Sequence, residues 1–332
     1  MNNTTTNTHW DCLVIGAGIA GLLAARQVQE AGHKVLVLDK SRGVGGRMAT
    51  RRIDNAVFDH GAQYFTARDP RFQAMLTEWE AAGAVRAWFQ APPSEANDDA
   101  CRYIGSEGMT SLPKYLAKDL SLNRNTAIRK AKADDTGWKL YSEDDAIFSG
   151  TSLVVTAPIP QGREILSPVA EHLPPDFLQQ LGKVRYTPCF SLMLMLDGPS
   201  GIEAPGFVHA PAPGLACMSD NAIKGISDDA VAVTVLATPA FSSTYFDEEP
   251  DVVAEKIYDA ISDRLESPVR SWQLQRWRYS KVLSWLYEPC LLSTTPHPIA
   301  YAGDAFIAPR IEGAALSGVA AGQAIVQLLD TT

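Results

Sequence analysis

The chain has 332 residues, of which 46% are hydrophobic and 20% are charged, a composition typical of a folded protein with one large or two ordinary domains. Its formal net charge of -9 argues against nucleic acid or an anionic membrane as the main partner, because phosphate groups bind to basic surfaces. We therefore expect a small-molecule partner, and a monomer or weak dimer.

Other simple features exclude further classes. The five cysteines form no Cys-x-x-Cys pair and the six histidines lack ligand spacing, so we expect neither a disulfide framework nor a metal site. Residues 1–9 are rich in Asn and Thr and lack the basic and apolar regions of a signal peptide, which favours a flexible tail. No uncharged apolar run is long enough to span a bilayer. A cytoplasmic protein is the expectation.

The N-terminal segment has the pattern of a β-α-β unit. A short apolar run, Cys12 to Ile15, leads into a glycine-rich turn, and a helical pattern follows until Gly32. A second apolar run, Val35 to Leu38, ends at Asp39. Strands joined by such a helix are parallel with a right-handed crossover. The pattern therefore predicts the first half of a doubly wound α/β domain.

The turn between strand and helix, Gly16 to Gly21, is typical of dinucleotide binding. Gly16 permits a tight turn, Gly18 lets backbone N–H groups approach a pyrophosphate, and Gly21 permits close helix packing. Asp39 lies where a carboxylate accepts hydrogen bonds from both hydroxyls of an adenosine ribose. A purely structural glycine turn is the alternative. The turn alone does not distinguish FAD from NAD.

A basic, glycine-rich segment, Lys40 to Arg52, follows directly. Within it Gly45 and Gly46 precede Arg47, whose guanidinium offers a fork of donors to phosphate oxygens. A solvated basic loop is the alternative. Because adjacent glycines have no purpose in a merely solvated loop, we favour contact of Arg47 with the second face of a bound pyrophosphate.

The remaining patterns divide the chain into two interleaved domains. Residues 10–68, 103–162 and 286–332 are expected to form a discontinuous dinucleotide-binding domain, because both ends of the chain supply its strands and helices. Residues 69–102 and 163–285 are expected to form an inserted substrate domain with a mixed sheet.

Several short motifs are spread over nearly the whole chain. They are Asp39-Lys40, Gly45-Gly46-Arg47-Met48, Gly61-Ala62-Gln63-Tyr64, Val155 to Pro160, Trp277-Arg278-Tyr279-Ser280, Gly303-Asp304 and Glu312 to Gly318. Together and in this order they resemble the amine oxidase and phytoene desaturase group of glutathione-reductase-type flavoproteins. Within that group the sequence is most similar to the renalase-like proteins.

The resemblance implies a non-covalent FAD in a Rossmann-like α/β domain, with an inserted α+β substrate domain. Asp304 would contact the ribityl or pyrophosphate part, Ile128 the adenine, and the backbone around Gly313 and Ala314 the flavin ring. Small residues at this helix start would let a planar ring rest there, and the helix dipole would stabilise negative charge on the reduced flavin. Tight helix packing is the alternative. The expected cofactor-binding residues are Gly16, Gly18, Ile19, Ala20, Gly21, Asp39, Lys40, Arg42, Gly46, Arg47, Met48, Ala62, Gln63, Ile128, Ala157, Gly303, Asp304, Glu312, Gly313 and Ala314.

The substrate cavity is expected on the flavin side of the inserted domain. Its expected walls are Gln63, Tyr64, Trp277 and Tyr279, and no residue stands out as a general base. Lys281 is interpreted as a solvated lysine. His60 is the only histidine next to the strand that would line the flavin.

The resemblance also implies a reaction. Renalase-like proteins oxidise 1,2- or 1,6-dihydro isomers of NAD(P), passing hydride to flavin N5 and electrons to O₂, with H₂O₂ and NAD(P)⁺ as products. This chemistry needs orientation rather than a protein base. One departure is that the strand Val231 to Thr238 lacks the histidine of renalase-like proteins. The alternatives are oxidation of a small amine, oxidation of a larger apolar ring system, and a flavin-binding sensor without turnover.

Overall fold

The computed structural model describes residues 8–90 and 100–331. The strands are β1 (His9–Ile15), β2 (Val35–Leu38), β3 (Thr50–Ile53), β4 (Ala56–Asp59), β5 (Val85–Gln90), β6 (Cys101–Gly105), β7 (Ser121–Asn123), β8 (Ile128–Asp134), β9 (Gly137–Ser142), β10 (Ile147–Val155), β11 (Arg185–Leu196), β12 (Phe207–His209), β13 (Leu215–Asp220), β14 (Ala232–Ala237), β15 (Val269–Ser284), β16 (Leu291–Ser293) and β17 (Ile299–Tyr301). The α-helices are α1 (Ile19–Glu30), α2 (Pro70–Ala81), α3 (Ser111–Leu116), α4 (Ile159–Leu166), α5 (Pro175–Leu181), α6 (Pro239–Thr244), α7 (Pro250–Asp259) and α8 (Ile311–Leu329). No helix in these ranges is both long and apolar enough to cross a membrane.

The first strand begins earlier than expected. His9 pairs with Ser149 of β10, and its Nε2 lies 3.0 Å from Thr151 Oγ1. The tail predicted for residues 1–9 is therefore at least one residue too long. Residues 1–7 of that tail, residues 91–99 of the predicted substrate domain and residue 332 lie outside the described residues.

The first sheet confirms the doubly wound α/β prediction. Its strand order is β16-β17-β10-β1-β2-β7, with β9 added to β10 and β8 to β9. Strand β1 is parallel to both β2 and β10, so that Ile15 pairs with Leu38 on one side and Val155 on the other. The carboxyl ends of β1, β2, β10 and β17 therefore meet at one edge, which is where doubly wound folds bind ligands.

Helices cover both faces of this sheet. Cys12 and Val14 of β1 belong to one core with the apolar side chains of α1 and α8, whereas Leu13 and Ile15 belong to a second core with those of α4 and α5. A parallel strand buried on both faces has a continuous apolar sequence, which explains the uninterrupted run that the sequence shows there.

The second sheet has the order β12-β13-β14-β11-β15, and each of these neighbouring pairs is antiparallel. On one face Phe190 and Val235 form a core with Val253 and Ile257 of α7. A smaller cluster on the other face includes Phe58 of β4. The second sheet thus rests against the segment that precedes Gly61.

Helix α2 lies differently from the prediction for residues 69–102. Its buried Phe72, Leu76 and Trp79 join the core that contains α1 and α8, not the core of the second sheet. Trp88 of β5 instead donates from its Nε1 to Pro205 O at 3.0 Å, which reaches the second sheet. The segment therefore bridges the two sheets, and the domain boundaries remain a prediction.

Close packing of α8 on α1 gives a testable prediction. A Cβ on Gly318 would lie 2.2 Å from Ala20 O, and backbone cannot move aside cheaply. We expect Gly318→Ala to lower the free energy of unfolding by about 1–3 kcal/mol, measured by urea denaturation. Gly43→Ala is the control, because a Cβ there meets nothing within 4 Å. Equal stability of the two variants would contradict the prediction.

Candidate functional site

The glycine turn sits at the carboxyl end of β1 and is shaped by two different constraints. Gly16 has φ +107°, and a Cβ on Gly21 would lie 2.0 Å from Gly16 O, so turn and helix pack too closely for side chains. Gly18, the N-cap of α1, meets nothing within 4 Å of its Cβ position. Gly18 therefore faces open space at the helix N-terminus, where backbone N–H groups attract anions.

Two further glycines border open space at the same edge of the sheet. Gly46 has φ +55°, and its Cβ position is 3.7 Å from Gly18 Cα. Gly303, directly after β17, has φ +142° and nothing within 4 Å of its Cβ position. Such a glycine-lined space, which side chains would fill, fits a pyrophosphate bound by backbone amides.

Asp39 is fixed at the end of β2 by the turn itself. Its Oδ2 accepts from Ala17 N at 2.6 Å, and its Oδ1 accepts from Ser41 N at 2.7 Å. Each carboxylate oxygen retains a second lone pair for a hydroxyl group. The carboxylate is thus oriented for the ribose contact that the sequence predicts.

Arg47 and Asp304, distant in sequence, form a bidentate ion pair. Arg47 Nη1 and Nη2 donate to the two carboxylate oxygens of Asp304 at 2.6 and 2.7 Å, and Nη1 also donates to Ser280 O at 3.1 Å. Burial acts to lower the pKa of the Arg47 guanidinium. The charge and hydrogen bonds of Asp304 have the larger opposite effect, so the pKa is raised. Nη1 and Nη2 thus bind Asp304 and the backbone of β15, and the contact of Arg47 with a pyrophosphate stays a prediction.

Several predicted cofactor residues have structural contacts within the protein. The Met48 side chain is buried in the core that contains α1. Glu312 Oε2 accepts from the backbone nitrogens of Arg68 and Asp69 at 2.5 and 2.9 Å, so it caps a turn. The carbonyl of Ala157 accepts from the Tyr301 hydroxyl at 2.7 Å. These three contacts give each residue a structural role, and their contact with a cofactor stays a prediction.

The other predicted cofactor residues offer less specific geometry. The side chains of Ile19 and Ala20 are buried in the core, which leaves their backbone amides for ligand contact. Ile128 is half-buried against the α4-side core, while Lys40 and Arg42 are exposed. Their contact with a cofactor stays a prediction.

The small residues of α8 serve packing to a large extent. A Cβ on Gly313 would lie 2.1 Å from Ala308 O, and one on Gly322 would lie 2.7 Å from Ala24 O. Contact with α1 accounts for Gly318 and Gly322, and contact with the preceding loop accounts for Gly313. The packing alternative weighed from the sequence thus holds for these glycines, with α1 and a loop rather than the sheet as the partners. Ala314, also buried, offers a small surface at the helix start.

A buried ion pair lies under the Gly61–Tyr64 segment. Lys224 Nζ donates to Asp59 Oδ2 at 2.7 Å and to Gln63 O at 2.7 Å, and both side chains have 0% exposure. Burial lowers the pKa of the Lys224 ammonium, while Asp59 opposes this shift. Asp59 Oδ1 accepts from Thr50 Oγ1 at 2.6 Å and from Met109 N at 2.8 Å.

The Gln63 side chain stabilises the Gly61–Tyr64 segment and lines neither of the cavities described below. Its Nε2 donates to Asp59 O at 2.7 Å and to Gly61 O at 3.0 Å. Two carbonyl acceptors fix which end of the amide is nitrogen. Its Oε1 is buried and has no hydrogen-bond partner among the described residues. Nε2 therefore has a local structural role, and the contact of the Gln63 side chain with flavin stays a prediction.

The predicted cavity walls do not share one cavity. Tyr64 lines a cavity of about 390 Å³, named here the Tyr64 cavity, and Tyr279 lines one of about 760 Å³, the Tyr279 cavity. The Tyr64 cavity is lined by Ala62, Tyr64, Phe65, Thr66, Arg68, Arg102, Arg310 and Ile311. The lining of the Tyr279 cavity includes Ile159, Arg163, Glu164, Arg185, Tyr186, Phe246, Arg278 and Tyr279.

Trp277 and His60 lie together where β15 meets β4. Trp277 Nε1 donates to His60 O at 2.8 Å, and the centroids of the Trp277 and His60 rings are 5.3 Å apart. His60 Nδ1 lies 2.7 Å from Ala49 O, which makes Nδ1 the protonated nitrogen. Burial, with the nearby Arg51 charge, lowers the pKa of His60 to about 4. The ring is therefore neutral at neutral pH.

Sequence reasoning missed Lys224, Asn221 and Arg310. Lys224 and Asn221 lie in a loop after β13 whose sequence is typical of a solvated turn. The burial of Lys224 is evident only from its ion pair with Asp59 in the folded structure. Lys281, by contrast, is exposed, as the sequence suggests. No cluster of three or more metal-ligating side chains occurs in residues 8–90 and 100–331.

Comparison with protein families gives two matches. Residues 14–79 match an NAD(P)-binding Rossmann-like domain, and residues 94–326 match the flavin containing amine oxidoreductase family. The second match covers most of the chain, including the whole second sheet and most of α8.

Curated relatives match only a short stretch. A putative flavin-containing monoamine oxidase of Mycobacterium tuberculosis is 38% identical over 80 residues, which are 24% of this chain and 18% of that protein. Putrescine oxidase of Kocuria rosea is 38% identical over 68 residues, 20% of this chain and 14% of that protein. The matched stretch thus spans less than a fifth of these relatives.

Solved structures match over nearly the whole chain. Putrescine oxidase bound to putrescine has a TM-score of 0.68 at 14% identity, covering 98% of this chain and 100% of that chain. A putative protoporphyrinogen oxidase from Exiguobacterium has a TM-score of 0.69 at 12% identity, covering 96% and 98%. At these identities the likeness establishes the fold.

The open space at Gly18 leads to a prediction about FAD. Gly18→Ala meets nothing in the protein itself, so we expect normal folding but FAD binding weakened by about tenfold or more, because a methyl group would hold the pyrophosphate away from the backbone amides. Titration of the apoprotein with FAD, followed by flavin fluorescence, measures this. Gly21→Ala is the contrasting variant, since its clash with Gly16 should destabilise the fold. Unchanged affinity in Gly18→Ala would place the pyrophosphate elsewhere.

The neutral His60 predicts a pH dependence of stability. The unfolded chain binds a proton near pH 6.5, whereas folded His60 does so near pH 4, so stability is fully present above pH 6.5 and is lost as pH falls toward 4. Between pH 7 and 5 this one group should cost about 2 kcal/mol. His60→Asn keeps an N–H donor for Ala49 and should show that much less loss in urea denaturation. Parallel curves for both proteins would exclude His60 as the cause.

Proposed function

The chain belongs to the family of flavin-containing amine oxidoreductases, and on this premise we propose that it is an FAD-dependent oxidase acting on an isomeric dihydronicotinamide, a 1,2- or 1,6-dihydro form of NAD(P). When bound, FAD would supply flavin N5 as the hydride acceptor and a route for two electrons to O₂. With one proton from solvent, the products are NAD(P)⁺ and H₂O₂. A sensor without turnover loses support, because the matched family consists of oxidoreductases.

The observation that carries the substrate class is the arginine lining of both cavities. The Tyr64 cavity has Arg68, Arg102 and Arg310 in its described lining. The Tyr279 cavity has three arginines and one carboxylate, Glu164. Guanidinium groups bind phosphate by paired, charge-assisted hydrogen bonds. A phosphate-bearing substrate is therefore favoured over a cationic one.

The titratable groups near these cavities fit a hydride transfer that needs no protein base. His60 is neutral and committed to Ala49. Burial and the nearby Asp304 charge raise the pKa of Tyr186 to about 12, so its hydroxyl stays protonated. What remains for the protein is to bind and orient the substrate, which matches the renalase-like motifs of the sequence.

A small amine is the second candidate. Tyr186 and Tyr279 meet edge to face with ring centroids 5.6 Å apart in the Tyr279 cavity, and aromatic faces attract ammonium groups. The relatives named as monoamine and putrescine oxidases favour this candidate, although they match over a short stretch only.

Anaerobic mixing distinguishes the two candidates. We expect 1,2- or 1,6-dihydronicotinamide dinucleotides to bleach the visible flavin absorbance rapidly, and ordinary NADH, putrescine and simple monoamines to do so slowly or not at all. Rapid bleaching by an amine alone would establish the second candidate. Bleaching by none of them would overturn both.

A substitution in the Tyr64 cavity tests the electrostatic argument. Arg310→Gln should raise KM for the dinucleotide about tenfold, because a charge-assisted hydrogen bond to phosphate is lost. Arg129→Gln, on exposed β8, removes a surface arginine as a control and should leave KM unchanged. An unchanged KM in Arg310→Gln would remove the support from this cavity.

A further inference from the structure

Lys224 occupies an unusual place for a lysine. Its side chain has 0% exposure, and its Nζ lies 4.9 Å from the centre of the Trp88 ring as well as 2.7 Å from Asp59 Oδ2. Lysine is almost never fully buried unless it is paired, and a buried pair is costly to desolvate. Such a residue therefore calls for a role beyond stability.

Hydrogen bonds with neighbouring strands hold the loop after β13 that carries Lys224. Arg86 Nη2 donates to Lys224 O at 2.6 Å. Asn221 Nδ2 donates to Ala232 O and to Thr234 Oγ1 at 2.9 and 3.0 Å, while Asn221 Oδ1 accepts from Asp59 N at 3.3 Å. The loop is thus fixed to β14 on one side and to β4 on the other.

The lysine in turn fixes the segment that borders the candidate flavin site. Lys224 Nζ donates to Gln63 O, and the Gln63 side chain ties Asp59 O to Gly61 O. Ala62 and Tyr64, on either side of Gln63, line the Tyr64 cavity. The ammonium therefore holds one wall of that cavity from beneath.

We infer that Lys224 is a positioning residue for substrate oxidation: through its paired contacts with Asp59 and Gln63 O, the second sheet sets the Ala62–Tyr64 wall against flavin and substrate. This inference takes its substrate from the proposed function. The expected effect of the Ala62–Tyr64 wall on bound flavin does not depend on which substrate is used. A misplacement of about 1 Å at a reacting centre can cost a hundredfold in rate, so a small shift of this wall has a measurable effect.

The test compares three variants of the FAD-loaded protein. Lys224→Met leaves the Asp59 carboxylate buried without its cation, which is expected to destabilise the fold. The double variant Asp59→Asn/Lys224→Met leaves no unpaired charge, so it carries the test if the single variant fails to fold. Lys139→Met removes a lysine that pairs with Asp134 at 3.7 Å on β9, away from the site, and serves as the matched control.

Two measurements separate positioning from mere stabilisation. The first is the visible circular dichroism of bound FAD, which reports the surroundings of the flavin without any substrate. The second is the rate of anaerobic flavin reduction by the dihydronicotinamide. For the double variant we expect FAD affinity within about threefold of the wild type, an altered visible dichroism, and reduction slowed by about 30- to 100-fold.

Two outcomes for the double variant count against the inference. A folded, FAD-loaded double variant with wild-type dichroism and a rate within about twofold would make the pair purely structural, and so would a double variant that fails to fold or to retain FAD. If no dihydronicotinamide reduces the wild type, the proposed substrate fails, and the visible dichroism alone decides the role of Lys224.

Discussion

The candidate site depends on one buried ion pair, that of Lys224 with Asp59. It joins the loop after β13 in the second sheet to the end of β4, and both partners are fully buried. Because charges lose hydration on burial, such a pair persists only when its remaining hydrogen bonds are satisfied. Thr50, Met109 and Gln63 O satisfy them here. The positions of the two sheets and of the wall of the Tyr64 cavity are thereby coupled.

The glycines near the dinucleotide-binding turn and in α8 differ in the physical reason for which a side chain is absent. Gly21 and Gly318 are needed because backbone from another segment occupies the place of a side chain. Gly18 borders open space at the N-terminus of α1, and Gly303, whose positive φ also favours glycine, borders open space after β17. This difference separates the glycines required by packing from those at which the sequence predicts the pyrophosphate of FAD.

Charge supports the proposed substrate class more directly than the shape of the cavities does. The protein as a whole is acidic, with a formal net charge of -9, yet arginines gather in the described lining of both cavities. Basic groups concentrated in clefts of an acidic protein attract an anionic ligand locally without attracting nucleic acid at large. The Arg47 and Asp304 pair lies beside Tyr186, which lines the Tyr279 cavity, so the cofactor region and this cavity share one electrostatic environment.

The sequence by itself determined the β-α-β unit, the turn from Gly16 to Gly21 and the acid Asp39, because these follow from local backbone geometry and from the burial of a parallel strand. It also indicated the flavoprotein family through motifs in a fixed order. Only the tertiary structure decided that Arg47 pairs with Asp304, that Gln63 is a brace, that Tyr64 and Tyr279 line separate cavities, and that Lys224 is buried. These contacts join residues separated by up to 257 positions, or depend on which loops cover a side chain. No local pattern encodes such proximity, since burial and pairing arise only when the two sheets pack together.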